Sequence, residues 1–284
     1  MVCKSQCSYD GFRHLVRSIN AEPNTLIPMF TLYCDDSCTD AGSEVAVAGC
    51  YIASVEQWDK FRENWGRAND CEHFGVFHMA DFVAKQEQFR EPEWQDEKKR
   101  DRTIKRLINI IQTRAQFGIA CAVVKSAYDE VVTPDLRKRH DKLFGKNHYT
   151  FVVRHCIAQI EKWREKYGHT DPIQYIFDRL SKGRGEIDAQ MEVAVSGGED
   201  AVRRYGIYKD GWSFQDKSVV VQLQAADIWA YENYKYATQT FFADPAKRKP
   251  PRTSYRALRN TPHKVSYHNN ASLTELVRRL KADV

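Results

Sequence analysis

The chain lacks the cysteine patterns that mark zinc ribbons and disulfide-stapled domains. Its eight cysteines are scattered, with two CxxxC pairs but no CxxC pair and no CxxC array. Several of them sit within apolar runs, where cysteine usually packs as a small hydrophobic side chain. The sequence therefore predicts neither a zinc ribbon nor a disulfide scaffold.

Long apolar runs are also missing. No stretch of about 18 apolar residues is present to span a bilayer, and the first twenty residues contain no apolar signal core. We therefore expect a cytoplasmic protein without a membrane partner.

The overall composition is balanced rather than extreme. The 284 residues suffice for one elaborated domain with a substantial core. The 43 basic and 38 acidic residues give a formal net charge of +5. This mildly basic balance allows a nucleic-acid partner without requiring one. The sequence leaves the oligomeric state open.

Hydrophobic periodicity predicts strands alternating with helices. The first two strands, "MFTLYC" and "EVAVAGCYIAS", are separated by the turn-forming "DDSCTDAGS" and predict an antiparallel hairpin. Further strands are predicted at "FGIACAVVKS" and "PIQYIFD", with a short extended segment at "HFGVFH". Helices are predicted at 55–68, 95–115, 134–145, 149–167, 186–197, 218–240 and 272–282. This order is typical of an α/β protein whose mixed β-sheet is flanked by helices.

Three segments describe the expected organisation. Residues 1–28 form an N-terminal extension, and residues 29–240 form the main domain. Residues 241–284 hold a basic, proline-containing loop and a C-terminal helix that packs on the same domain.

The helix "QLQAADIWAYENY" carries a carboxylate on its apolar face. Asp227 follows Leu223 by four residues and precedes Ala230 by three, so the three side chains share one side of the helix. A buried charge needs a hydrogen-bonded partner, a cation or a metal. The sequence alone leaves open pairing with an arginine, such as Arg179 or Arg203.

Other carboxylates come at predicted strand ends. Asp35 and Asp36 end the first strand on opposite faces, and Asp178 ends "PIQYIFD". Any one of them could instead serve as a turn or helix-cap residue. Three converging carboxylates repel one another unless a cation compensates them. Hard oxygen ligands, with neither a Cys/His quartet nor a glycine-rich phosphate loop, favour Mg²⁺ or Mn²⁺.

Five motifs in order resemble the family called domain of unknown function 3800, which is ribonuclease H-like. They are "LYCDDSC", "AGCYIAS", "FGVFHMADF", "YIFDR" and "VVVQLQAADIWAYENY", within residues 29–240. The resemblance implies a ribonuclease H-like fold and suggests a metal-dependent nuclease that hydrolyses phosphodiester bonds of RNA or DNA by a two-metal-ion mechanism.

By position, the resemblance also assigns residues to roles. It implies that Asp35, Asp178 and Asp227 bind Mg²⁺ or Mn²⁺ and act in catalysis, with Ser37 and Gln224 supporting them. His78 matches a histidine that could carry a proton.

Two features depart from the family pattern. Asp36, a further candidate metal ligand, replaces a glutamate that is one methylene longer, and Cys38 stands where glycine is common. A fourth carboxylate has no clear position, and the candidates are Asp36, Asp81 and Glu186.

Candidate contacts to nucleic acid are basic residues near Asp178. Lys182 and Arg184 in "SKGRGE" follow it directly, and the glycines there allow close approach of a phosphate.

Two alternatives to the nuclease stay open. One is a non-catalytic nucleic-acid- or protein-binding module with the same fold. The other is a hydrolase that uses Cys34 or Cys38 with His78.

Overall fold

The computed structural model describes residues 29–37, 42–179, 184–196 and 198–282, and for residues 142, 281 and 282 it describes the backbone alone. The predicted extension 1–28 and the predicted site residue Lys182 therefore lie outside the described residues, as does Cys38. Within the described part of the chain, no helix combines the length and the apolarity that crossing a membrane requires.

Six strands of the described chain form one mixed sheet in the order β5-β4-β1-β2-β3-β6. Their bounds are Phe30–Ser37 (β1), Val45–Ser54 (β2), Phe117–Val124 (β3), Ile173–Asp178 (β4), Trp212–Gln215 (β5) and His263–His268 (β6). Strands β1, β2 and β3 are successively antiparallel, which confirms the predicted hairpin. Strands β4 and β5 extend the sheet in parallel beyond β1, and β6 lies parallel to β3.

The helices alternate with these strands along the chain. Their bounds are Val55–Glu72 (α1), Met79–Ala84 (α2), Glu97–Arg114 (α3), Lys125–Val131 (α4), Pro134–Arg139 (α5), Asp141–Phe144 (α6), His148–Tyr167 (α7), Arg184–Ser196 (α8), Glu199–Tyr205 (α9), Gln222–Phe242 (α10), Thr253–Leu258 (α11) and Asn270–Ala282 (α12). Short 3₁₀ helices cover Glu87–Arg90, Pro92–Gln95 and Pro245–Lys247. The structure is thus the mixed α/β sheet with flanking helices that the sequence predicts.

Two apolar clusters cover the two faces of the sheet. Helix α7 packs on β2 and β3, and its apolar side chains join Leu32 and Cys34 of β1. On the other face, α10 and α1 pack together with Tyr33 of β1. Because successive strand side chains point to opposite faces, each residue step along β1 changes the environment that a side chain enters.

Gly49 of β2 allows α10 to approach the sheet closely. A Cβ atom at this position would lie 2.6 Å from the backbone nitrogen of Ala230 on α10, which is closer than real contacts allow. This close contact accounts for the glycine at position 49, since any larger residue would push α10 away from the sheet.

Several sequence predictions differ from the structure at the edges of elements. Residues 73–78 form no strand, and the helix expected at 218–240 begins at Gln222. Strands β5 and β6 were not predicted, because "WSFQ" and "HKVSYH" are half-buried strands of mixed polarity. Both lie at edges of the sheet, where strands need no continuous apolar sequence.

The central hairpin also contains a disulfide that the sequence did not indicate. Cys34 of β1 and Cys50 of β2 are directly paired in register, with a Cα–Cα distance of 4.1 Å, and are joined. The scattered spacing gave no sign of this pair, because their proximity depends on the hairpin register. Cys121 and Cys156 are buried free thiols, as expected for cysteines in apolar runs.

Candidate active site

Two of the predicted carboxylates lie at the ends of neighbouring parallel strands. Strand β1 runs parallel to β4, and Cys34 lies opposite Phe177. The next residues, Asp35 and Asp178, therefore lie side by side at the C-terminal ends of these two strands. Asp35 is on the face covered by α10 and is only 1% exposed. Asp178 is half-buried. Parallel strand ends in α/β sheets are the usual place for a ligand site.

Asp227 reaches the same place from helix α10. It is 4% exposed, and its Oδ2 accepts a hydrogen bond of 2.7 Å from the backbone N–H of Met79. The close approach of α10 to β2 at Gly49 keeps this helix, and with it Asp227, against the ends of the strands. The carboxylate in the apolar stripe is therefore a buried group that faces Asp35 and Asp178.

Lys217 joins these three carboxylates, and the sequence analysis missed it. Its Nζ lies 2.5 Å from Oδ2 of Asp35, 3.1 Å from Oδ2 of Asp178 and 3.2 Å from Oδ1 of Asp227. Lys217 is in the segment between β5 and α10. A lysine in a connecting segment has no periodic pattern, and only its position five residues before "QLQAAD" could have drawn attention to it.

The arginine pairing that the sequence left open for Asp227, with Arg179 or Arg203, is replaced by another cation. Arg203 pairs with Asp200 at 2.6 Å on the surface of α9, and the cation beside Asp227 is Lys217. The general expectation that a buried carboxylate requires a cation is met by a different residue.

The acidic cluster of Asp35, Asp178 and Asp227 is only partly neutralised. Three carboxylates face one ammonium group, so Lys217 can balance only one of them if all three are ionised. Burial raises the pKa of Asp35 well above its usual value, and Asp227 and Asp178 raise it further while Lys217 lowers it. Burial alone would lower the pKa of Lys217, but the carboxylates outweigh burial and raise it. Lys217 is therefore charged at neutral pH.

His78 lies at the edge of this acidic cluster. It precedes α2, and its Nε2 is 3.3 Å from Oδ1 of Asp227. Its Nδ1 lies 2.8 Å from Oδ2 of Asp81, so Asp81 fixes the ring orientation. The side chain of His78 is 41% exposed, which leaves it accessible to solvent. His78 therefore lies beside Asp227, and Asp81 reaches the site through His78. The role of His78 as a proton carrier stays a prediction.

Gln224 connects the segments that carry the site rather than contacting Asp227. Its Oε1 accepts hydrogen bonds of 3.0 Å from Nε1 of Trp65 and from the backbone N–H of Phe77. Its Nε2 donates to the carbonyl oxygen of Lys217 at 2.8 Å. Since Phe77 precedes His78, this buried amide holds both the histidine and the lysine segments against α10. These hydrogen bonds do not join Gln224 to Asp227, so they do not support its predicted role beside that carboxylate.

The other predicted residues lie at varying distances from the acidic cluster. Asp36 and Ser37 end β1, and Asp36 points to the α7 face, where it contributes to raising the pKa of Tyr149 after the larger effect of burial. Glu186 accepts hydrogen bonds from the 146–147 segment, including one of 3.2 Å from Nδ2 of Asn147. Arg184 begins α8, with its guanidinium 4.9 Å from the ring centre of Phe214 on β5.

The alternative in which Cys34 acts as the nucleophile of a hydrolase is wrong. This residue is joined to Cys50 and faces α7, whereas His78 lies on the α10 side of the sheet. Cys38 is outside the described residues.

The residues of the acidic cluster fit a hard divalent cation. All three carboxylates contact the same ammonium group, and carboxylate oxygens are the ligands that Mg²⁺ and Mn²⁺ prefer. The excess of carboxylates over ammonium groups favours a further cation at this place. A divalent cation and Lys217 would compete for the same oxygens, so binding of the ion depends on how firmly Lys217 is held.

Comparison with known proteins adds little to this geometry. No protein-family model matches the chain, and no curated protein matches it. Among solved structures, the chain is similar to Bst-RNase HIII in complex with Mn²⁺, with a TM-score of 0.36 and 12% identity over 90% of this chain and 71% of that one. A likeness at this level establishes neither a shared fold nor a shared activity.

Proposed function

We propose that this protein is a Mg²⁺- or Mn²⁺-dependent nuclease with a ribonuclease H-like fold, as the resemblance to the domain of unknown function 3800 family suggests. The observation that carries the proposal is the meeting of Asp35, Asp178 and Asp227, from two strands and a helix, within 3.2 Å of one nitrogen. Such a cluster is costly to bury without a function or a cation, because like charges at short range oppose one another.

The residues divide the work of the proposed reaction. Asp35, Asp178 and Asp227 would hold the cations, and Lys217 neutralises part of the carboxylate charge. When bound, a pair of such ions activates a water molecule and stabilises the leaving oxygen of a phosphodiester. His78, oriented by Asp81, can hold or release a proton at Nε2 beside Asp227.

Basic residues that follow Asp178 in the sequence suit a nucleic-acid substrate. Arg184 begins the helix that follows Asp178, and Lys182 precedes it in the sequence. Phosphate contacts by such residues supply affinity that does not depend on sequence and that weakens with salt. The substrate class in this proposal is therefore RNA or DNA recognised through its backbone.

A cleavage assay with a matched pair of variants tests the proposal. Labelled single-stranded RNA, single-stranded DNA and an RNA/DNA hybrid are incubated with Mn²⁺ or with EDTA. We expect Mn²⁺-dependent cleavage that falls by about 10³-fold in Asp227→Asn, since several kcal/mol of charge stabilisation depend on the bound ions. Asp101→Asn makes the same change at an exposed carboxylate of α3 and should cleave normally.

A second candidate is a non-catalytic binding module, and the Lys217 contacts favour it specifically. An ammonium group that already bridges three carboxylates can serve as a structural counter-ion, with no metal needed. This candidate predicts nucleic-acid binding that is equal in Mn²⁺ and in EDTA, without product from any substrate. That result would replace the nuclease with the module.

A further inference from the structure

A second cluster of metal-binding side chains lies on the other face of the sheet. Cys121 is on β3, His155 is on α7 and His268 ends β6. One ligand atom from each lies within 4.8 Å of the other two. These residues are far apart in the sequence, and the parallel pairing of β3 with β6, which sets Val123 opposite His268, brings them together.

His268 has no partner that would account for its burial. Both of its ring nitrogens are buried, and neither has a hydrogen-bond partner within the described part of the chain. Its ring instead contacts the rings of His155 and Phe151, with centres 4.5 Å and 5.4 Å away. A buried polar group without a partner costs about 1–3 kcal/mol, and a metal ion is one partner that removes this cost.

The protonation of the three groups suits a metal ligand set. Burial lowers the pKa of His155 to about 4 and that of His268 to about 3, so both imidazoles are neutral at pH 7 and have a free lone pair. Burial raises the pKa of the Cys121 thiol well above its usual value. A cation would reverse this preference, because metal binding stabilises the thiolate.

We propose that Cys121, His155 and His268 bind one Zn²⁺-class ion that fastens the edge strand β6 and helix α7 to the centre of the sheet. One thiolate and two imidazoles are ligands that Zn²⁺ accepts and Mg²⁺ does not. Tetrahedral Zn²⁺ places such ligand atoms about 3.3–3.8 Å apart, so side chains within 4.8 Å need only a small closure. As the metal–sulfur bond forms, the Cys121 proton passes to solvent. This site is independent of the proposed nuclease.

Titration of the metal-free protein with Co²⁺ tests this site. A thiolate-to-cobalt charge-transfer band reports sulfur ligation and is blind to ions held by carboxylates alone. We expect one equivalent of Co²⁺ to produce the band in the native protein, and Zn²⁺ to displace it. The band should be lost in Cys121→Ala and in His268→Gln, which keeps the thiol.

Two controls separate this site from the exposed thiol of Cys71 and from the acidic cluster. Cys71→Ser removes an exposed thiol and Asp227→Asn removes a carboxylate, and both should keep the band. Absence of the band in the native protein at excess Co²⁺ would overturn the proposal, as would its persistence in Cys121→Ala. If Cys121→Ala does not fold, His268→Gln decides, since an unchanged band there also refutes the site.

Discussion

The two faces of one sheet gather opposite kinds of metal-binding groups. On the α10 face, Asp35, Asp178 and Asp227 offer charged oxygens around Lys217. On the α7 face, Cys121, His155 and His268 offer sulfur and nitrogen in an apolar setting. The first group carries uncompensated negative charge, whereas the second is neutral at pH 7.

The alternation of strand side chains is what separates these two chemistries. Asp35 points to α10, while its neighbours Cys34 and Asp36 point to α7. A shift of one residue in strand register would therefore move Asp35 to the α7 face and bring either Cys34 or Asp36 to the α10 face. The comparison teaches that the two faces of a single sheet can keep carboxylate oxygens apart from a thiol and two imidazoles.

The largest expected effect comes from removing the cation of the α10 face. Lys217→Met leaves the buried carboxylates of Asp35 and Asp227 and the half-buried carboxylate of Asp178 uncompensated, and it should lower the free energy of unfolding by about 3–5 kcal/mol in EDTA. Because Lys217 competes for the same oxygens, Mn²⁺ should restore more stability in this variant than it adds to the native protein. Urea unfolding with EDTA and with Mn²⁺ measures both. Lys209→Met, at an exposed position, controls for lost charge, and an equal loss there would refute the role of Lys217.

A smaller effect is expected from displacing α10 alone. Gly49→Ala would place a Cβ 2.6 Å from the Ala230 backbone nitrogen and should cost about 1–3 kcal/mol. Mn²⁺ binding should weaken in this variant, whereas the Co²⁺ band of the α7 face should not change. Gly66→Ala is the matched control, because nothing lies within 4 Å of its Cβ position, and it should gain up to about 1 kcal/mol of helix stability. If Gly49→Ala and Gly66→Ala changed Mn²⁺ binding equally, the close packing of α10 on Gly49 would not be what positions the acidic cluster.

The free energy of unfolding of the metal-free protein should depend on pH because ionising Asp35 on the α10 face is unfavourable. The folded pKa of Asp35 is raised above its ordinary value of 3.8, so its contribution to stability is fully present below that pH and is lost as pH rises through the folded pKa. Asp35→Asn lacks this loss. In EDTA, the stability of the variant relative to the native protein should therefore increase from pH 4 towards neutrality. If the difference in free energy of unfolding between Asp35→Asn and the native protein were constant with pH, the pKa of Asp35 would not be raised in the folded protein.

The smallest effect is expected at the candidate phosphate contact. Arg184→Ala should weaken nucleic-acid binding equally for all sequences and reduce the slope of log affinity against log salt by about 1. Fluorescence anisotropy over a salt series measures this slope. Arg278→Ala, an exposed arginine of α12 paired with Glu275, should leave it unchanged. An unchanged slope in Arg184→Ala would remove this residue from the proposed interface.

The sequence predicted the strongly patterned parts of this structure and missed contacts that depend on strand order. The hairpin and the helix with Asp227 have clear apolar periods, and both are present. The meeting of Asp35 with Asp178 requires β1 and β4 to be neighbours, which no local pattern reveals. Lys217 is in a connecting segment, and His268 is on an edge strand of mixed polarity, so neither had a pattern that singled it out.

Binding of Mn²⁺, followed by electron paramagnetic resonance, tests the central claim that the α10 face is a divalent-cation site. We expect the native protein and Cys121→Ala to bind Mn²⁺ alike, and Asp178→Asn to lose at least about tenfold in affinity because a direct ligand is removed. No binding by the native protein, or equal binding by all three proteins, would contradict the assignment of Asp35, Asp178 and Asp227 as its ligands.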